Sequence, residues 1–355
     1  MEEGRLQKQF ITRLESLRGL AAFGVALYHS VSIFEVQPSW YVFNKSIQLI
    51  GNGGGPVMVF FVLSGHVLTL SILSEMETGY SIKQYLAYLL RRAFRLMPLL
   101  TVAILVTYTI KLIISPSNYG LTDYAKVIFS PPKRLIELAS NLSLKSASIN
   151  PVAWTLEIEV VWSILLPLLV LVLKLSPVWN ILALILFGGA AIFIPAGYSM
   201  HYALAFFLGA SMINWIKPAR TGLLALFGLT AIWVIPIVTD TALKDIVFMT
   251  AASLIVWATI HGEGSMRLLD WRPVRFLGKT SYSFYLWHFT ILYIITAISP
   301  VQGFMGNMFV LLASLSITIP ISALSHRYIE MPFVNVGRAM AKVVKTRQSA
   351  HPLQP

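Results

Sequence analysis

The chain has 355 residues, 56% of them hydrophobic and only 12% charged, and a mean hydropathy of +0.72. Soluble globular domains carry about a quarter charged residues, so composition excludes that class. The absence of cysteine excludes disulfides, thiolate metal sites and a cysteine acyl-enzyme.

The N-terminus, "MEEGRLQKQFITR", lacks the short apolar core and small-residue cleavage site of a signal peptide. Beyond it, apolar runs long enough to cross a bilayer recur along the whole length. They lie near 19–36, 56–74, 94–114, 153–173, 178–194, 199–216, 221–238, 246–261, 281–298 and 307–327. The pattern predicts an all-α polytopic membrane protein of about ten transmembrane helices, organised as a single domain over 1–355. The net charge of +12 could point to nucleic acid. Most of the 27 basic residues, however, fall in alternate connections, including Arg91, Arg92 and Arg95, then Arg267 to Lys279, and the tail. By the positive-inside rule this asymmetry predicts both termini in the cytoplasm and removes most of the motive for a nucleic-acid partner.

Two connections exceed what a turn needs. Residues 75–93 are helical and basic in pattern, which predicts an interfacial segment along the cytoplasmic face. Residues 115–152, broken by Pro131, Pro132 and Pro151, form the longest predicted outer loop.

Ionisable residues inside spans are the functional candidates. Arg18 and His29 are eleven positions apart, about three helical turns, so both project from one face with a rise of about 16 Å. Ala22, Val25 and Ala26 lie between them, either as a groove or as a small-residue helix contact. His288, in "SYSFYLWH", reaches a similar depth and shares a face with Ser281 and Tyr285. Glu157 and Glu159 point about 200° apart, so only one can face the interior, and a buried Glu159 needs a polar partner or a raised pKa. Arg92 and Arg95 are neighbours on one face, suited to a phosphate or to anchoring at the interface. Arg327 and Glu330 have ion-pair spacing, and His66, His201 and His261 read as isolated structural histidines. No metal-binding spacing, Walker A or GxSxG motif occurs.

Six stretches occur in register: "RLESLRGLAAFGVALYH", "GGPVMVFFVLSG", "RRAFRLMPLL", "WTLEIEVVWSILLPLL", "LGKTSYSFYLWH" and "LSHRYIEMPF". Together they resemble the acyltransferase 3 family of integral membrane acyltransferases. That family includes bacterial enzymes that O-acetylate O-antigen, exopolysaccharides and Nod factors. The resemblance covers about residues 10–335, leaving 336–355 as a basic cytoplasmic tail.

The resemblance implies that the family's basic residue and first-helix histidine fall on Arg18 and His29, and its RxxR on Arg92 and Arg95. Its acidic first-helix residue falls on Glu15, and its tryptophan-led glutamate motif on Trp154 and Glu159. Thr155 replaces the usual serine, and His66 replaces an aromatic residue. The function so implied is a membrane O-acyltransferase of the bacterial inner membrane. It would move an acyl group from cytoplasmic acyl-CoA, most simply acetyl-CoA, to a hydroxyl of a saccharide or glycolipid acceptor. Arg18, Arg92 and Arg95 would hold the donor phosphates, and no metal is expected. His29 would act as general base or acyl carrier, with Glu159, His288 and Tyr285 in support. Membrane lipid is the expected surround, and a homo-oligomer is left open. The rival reading is a proton-coupled secondary transporter using His29 and Glu159 as a relay, but the inverted repeats and broken helices of such proteins are missing from the sequence.

Overall fold

A computed structural model describes residues 2–35, 41, 53–76, 81–116, 120–216, 220–238, 242–262, 266–299 and 303–346. Among these residues the regular structure is helical, and the only β pairing is an isolated bridge between Phe34 and Leu121. The helices are α1 (Glu2–Ser32), α2 (Gly54–Met76), α3 (Ile82–Ile113), α4 (Asp123–Phe129), α5 (Leu135–Leu142), α6 (Trp154–Leu173) and α7 (Pro177–Phe193). They continue with α8 (Ala203–Ser211), α9 (Thr221–Val238), α10 (Ala242–His261), α11 (Arg272–Ile298), α12 (Gly303–Ser325) and α13 (Met331–Thr346).

Each of the ten apolar runs overlaps a helix among the described residues. Among the described residues, six helices are both long and apolar enough to cross a membrane by themselves. Pro177–Phe193, Ala203–Asn214 and Thr221–Ile232 are apolar but shorter. The membrane-exposed character is clearest on α7, where Ile181, Leu182, Ile185 and Leu186 are exposed. In a bilayer such a surface faces lipid at no cost.

Two expectations about the connections are corrected. Of residues 75–93, Glu75 and Met76 end α2, 77–80 lie outside the described residues, and 82–93 are not a separate segment but the first turns of α3, which runs unbroken for 32 residues. Ser81 caps it with a reciprocal Gln84 contact, satisfying orphan N–H groups. The basic residues of those turns are then tied down: Arg91 pairs with Glu75 at 2.8 Å, and Lys345 of α13 pairs with the same carboxylate. The start of the basic tail is thus an ordered helix, α13, whose Gly337 lies against Phe94 of α3.

The connection over 115–152, described except at 117–119, is not a simple loop either. It holds α4 and α5, and Lys111 at the end of α3 is buried beneath it. The Lys111 ammonium donates to the carbonyls of Ile128 (2.7 Å) and Ser148 (3.1 Å), tying the end of α4 and the close of the segment to the helix.

The contact that positions the functional residues is between α1 and α11. The two helices run parallel, and Gly19 and Gly278 let their backbones touch. A Cβ on Gly278 would lie 2.7 Å from the backbone of Glu15, which is too close for any neighbour to yield cheaply. Gly278→Ala is therefore expected to cost about 1–3 kcal/mol and to push α11 away from α1. Thermal unfolding in detergent checks the first effect, and a wild-type melting temperature would show that the close approach is dispensable.

Candidate active site

The α1–α11 pairing brings two polar contacts into line. Arg18 Nε donates to Ser281 Oγ at 3.1 Å, and His29 Nδ1 lies 3.0 Å from His288 Nε2. On α1 the two residues are about 16 Å apart along the axis, and on α11 their partners are about 10 Å apart. The reach of the side chains in the two contacts closes the difference of about 6 Å.

The imidazoles of His29 and His288 are nearly parallel, 8° apart, with centroids 5.3 Å apart. One nitrogen of the short contact must donate, so the two rings share a single proton there. His288 is buried and His29 half-buried. If His29 Nδ1 is the donor, its Nε2 carries a lone pair facing away from His288. That arrangement suits proton abstraction, with His288 fixing the tautomer and the ring orientation.

The expected groove between Arg18 and His29 is absent. Ala22, Val25 and Ala26 are each at most 2% exposed, so the small-residue face serves helix packing. Open space lies beside it instead. A cavity of about 470 Å³ between α1 and α2 begins near Leu14, Glu15 and Ser74. It reaches Arg18, Ser64, Arg92 and Glu159, and the same four residues line a narrow inner pocket of about 50 Å³. Phe60, Phe61, Leu96, Leu156, Tyr282 and Tyr285 form the apolar part of that inner pocket.

Each charge at the junction has a partner. Glu159 accepts from Arg92 at 2.6 Å and from Ser64 Oγ at 3.3 Å, and Arg92 Nε also donates to Ser163 at 3.2 Å. Glu157 is exposed, so the 200° divergence sends one carboxylate in and one out. Arg95 lines the inner pocket and pairs with Glu330 at 3.2 Å. An arginine carries five N–H donors, so these contacts orient the guanidiniums without exhausting them.

Glu330 corrects a further expectation. Its partners are Arg95, Ser283 (2.7 Å) and His326 (3.1 Å), while Arg327 packs over the Tyr328 ring instead. Residues His326–Glu330 form a π-helix, a geometry that often marks functional positions, and it turns Glu330 inward.

One aromatic ring, Tyr285, both lines the pocket and packs on His288. Tyr285 lies 5.7 Å from the His288 ring and 5.3 Å from Phe60, centroid to centroid. Its hydroxyl is held by Thr155 Oγ1 at 2.9 Å and the Val152 carbonyl at 3.2 Å, so threonine keeps the hydroxyl that serine would supply. Trp154 supports this wall by packing on Phe61 and Tyr202, and Glu15 lies in the lining of the larger cavity.

The other histidines are not isolated. His201 bridges Asp245 (2.9 Å) and the Ile194 carbonyl (2.7 Å), and His66 contacts the Gly209 carbonyl at 3.3 Å. His261 contacts the Trp257 carbonyl at 3.1 Å. Among the described residues no group of three His, Asp or Glu could hold a metal ion. Sequence reasoning did not identify Ser64 or Glu330 as site residues. Ser64 is 95 positions from the Glu159 it touches, and no local spacing signals that contact.

The chain belongs to the acyltransferase 3 family: the family model, described as an acyltransferase domain, matches residues 11–327. The peptidoglycan O-acetyltransferase OatA of Listeria monocytogenes is 24% identical over 94% of this chain and 57% of its own length. A Staphylococcus aureus protein named provisionally as an O-acetyltransferase is 26% identical over 93% of this chain and 58% of its own length. A Bacillus subtilis protein, named provisionally as a peptidoglycan O-acetyltransferase, is 34% identical over 25% of this chain. The chain thus spans less than two thirds of the first two of these relatives. No solved structure matches it.

Proposed function

We propose that this protein is a multi-pass O-acyltransferase of the bacterial inner membrane, with acyl-CoA as cytoplasmic donor and a hydroxyl of a saccharide or saccharide-linked acceptor. The observation that carries the reading is the arginine-lined cavity whose inner pocket shares Tyr285 with the His29–His288 contact. Arg18, Arg92 and Arg95 bind the donor's phosphate groups by charge-assisted hydrogen bonds. Glu159 and Glu330 act as positioning carboxylates, because each is committed to an arginine. A carboxylate paired in this way is a poor proton acceptor, which leaves the histidines for the chemistry.

His29 is the general base. It takes the proton of the acceptor hydroxyl as the new oxygen–acyl bond forms and the carbon–sulfur bond breaks. The proton then neutralises the departing CoA thiolate. His288 positions His29 through the 3.0 Å contact. Tyr285 lines the inner pocket and packs on the His288 ring, so the pocket comes within one ring of the histidines. Membrane-embedded acceptors related to peptidoglycan fit this reading, since OatA carries that acceptor in its name.

The same reading has ten spans in one domain, with both termini cytoplasmic. The large cavity begins at the end of the bundle where the basic residues gather, which supports a cytoplasmic donor. Because the chain has no native cysteine, single-cysteine labelling is clean. Val343→Cys, on the exposed side of α13, is expected to react with a membrane-impermeant maleimide only after the cells are opened. Labelling in intact cells would invert the topology and remove the case for cytoplasmic acyl-CoA.

A further inference from the structure

Away from the arginines, the connection between α7 and α8 carries a buried ion pair that the proposed reaction does not use. His201, in that connection, is only 2% exposed. Its Nδ1 lies 2.7 Å from the carbonyl of Ile194, the C-cap of α7. Its Nε2 lies 2.9 Å from Asp245 Oδ2, in the first turn of α10. A carbonyl and a carboxylate only accept, so both ring nitrogens must donate, and a neutral imidazole has one proton to give. The pair therefore holds a second proton, between Nε2 and Oδ2. The helix ends favour this charge separation, with the cation at the C-terminus of α7 and the carboxylate at the N-terminus of α10.

The pair reaches the inner pocket through aromatic rings. The His201 ring packs edge-on against Tyr202, with centroids 4.8 Å apart. Tyr202 in turn packs on Phe61 at 5.1 Å and on Trp154 at 5.5 Å. Phe61 lines the inner pocket, and so does Thr155, next in the chain after Trp154 and partner of the Tyr285 hydroxyl. Tyr202 and Phe61 are at most 4% exposed, so neither ring has room to move alone. We propose that His201 and Asp245 are positioning residues: while the pair keeps its second proton, it anchors the Tyr202–Trp154–Phe61 stack behind one wall of the inner pocket. The inference rests on the acyl-CoA reading above and adds a proton-dependent control of donor binding.

The charged and titratable groups around the ring are few among the described residues. α7 and α8 carry no charged side chain. α10 presents Asp245, with Lys244 beside it in the chain, and the connection presents Tyr202, while Tyr198 is exposed. α6 meets the connection through neutral groups: Trp154 packs on Tyr202, and Trp162 donates to the Ser199 carbonyl at 2.9 Å. Glu157, one turn on from Trp154, is exposed. When the proton between Nε2 and Oδ2 leaves, a lone pair faces an acceptor at hydrogen-bond distance, and the connection or α10 must give way. The contribution of the pair is thus complete at low pH and lost as the pH rises through its titration.

The test follows acetyl-CoA affinity and melting temperature of the purified full chain in nanodiscs from about pH 6 to about pH 9, which brackets a histidine held by a carboxylate. The wild type is expected to lose about fivefold or more in affinity at the alkaline end, an ordinary coupling between sites. Asp245→Asn supplies an amide that donates to Nε2 of a neutral His201 or accepts from a charged one, so each contact survives at either pH. This conservative variant is expected to rescue alkaline binding and to flatten the pH dependence relative to wild type. His29, His288 and the donor phosphates titrate alike in both proteins and cancel from the comparison. His201→Phe keeps a ring against Tyr202 but neither hydrogen bond, and should bind weakly across the range. Should it fail to fold, Asp245→Asn alone carries the comparison. Affinities with the same pH dependence in wild type and Asp245→Asn overturn the inference while leaving acyl-CoA as donor. A wild type that melts lower as pH rises but binds unchanged also overturns it, since the pair would then be a structural staple only. Failure of the wild type to bind acetyl-CoA at any pH overturns the donor reading instead. The proton requirement is then judged from melting alone, and a profile that Asp245→Asn does not flatten overturns that too.

Discussion

Replacing His29 by alanine is expected to lower acyl transfer by about a thousandfold or more, within the range that loss of a general base produces. Expression and melting should change little by comparison, because the change removes one shared proton contact and opens a small void beside His288. His29→Gln separates the two roles of the ring. It restores a hydrogen-bonding partner for His288 but cannot accept the acceptor's proton, so it should be as inactive as alanine and better folded. His288→Gln is expected to be intermediate, since it leaves the base in place and removes only what orients it. A pH–rate profile displaced in His288→Gln, relative to wild type, distinguishes positioning from packing.

The second large effect concerns the Arg92–Glu159 pair. Removing one member of a mostly buried ion pair leaves the other uncompensated, at a cost of about 3–5 kcal/mol. Arg92→Ala and Glu159→Ala are each expected to melt well below wild type, and the double variant to recover much of the loss. Glu159→Gln keeps the shape and frees Arg92 of its carboxylate, so it should be milder than alanine. Donor affinity splits the same variants differently: Arg92→Ala and the double variant both lose acyl-CoA binding, even where the double variant is stable. A double variant that binds acyl-CoA normally would reduce Arg92 to a structural anchor.

How much of this was legible in the sequence depends on how local each feature is. The face shared by Arg18 and His29 follows from helical periodicity alone, and the partnership with α11 was foreshadowed by His288 lying at a similar depth. That only one of Glu157 and Glu159 faces inward follows from their divergence around one helix, and the family motif falls on Glu159 as that one. What was not legible was decided by distant neighbours. Ala22, Val25 and Ala26 read as a groove or a contact until α11 is seen packed against α1 through Gly19 and Gly278. Glu330 has ion-pair spacing to Arg327, but the π-helix redirects it to Arg95 on α3. The pairing of Arg92 with Glu159 spans 67 positions, and no spacing rule reports it. Residues 75–93 read as an interfacial segment because they are helical in pattern and basic. The part from Ile82 onward contains no helix breaker, however, and continues into the apolar part of α3 as one element.

The division of labour between cavity and histidines is tested most directly by single turnover with acetyl-CoA labelled in its acetyl group. The purified chain, in nanodiscs made with lipid from acceptor-containing membranes, is mixed with the donor, and label is followed into CoA-free product. Wild type and His29→Gln should bind the labelled donor with equal affinity, and only wild type should transfer the label. Transfer by His29→Gln at the wild-type rate, or donor that binds wild type but is never consumed, would contradict the account.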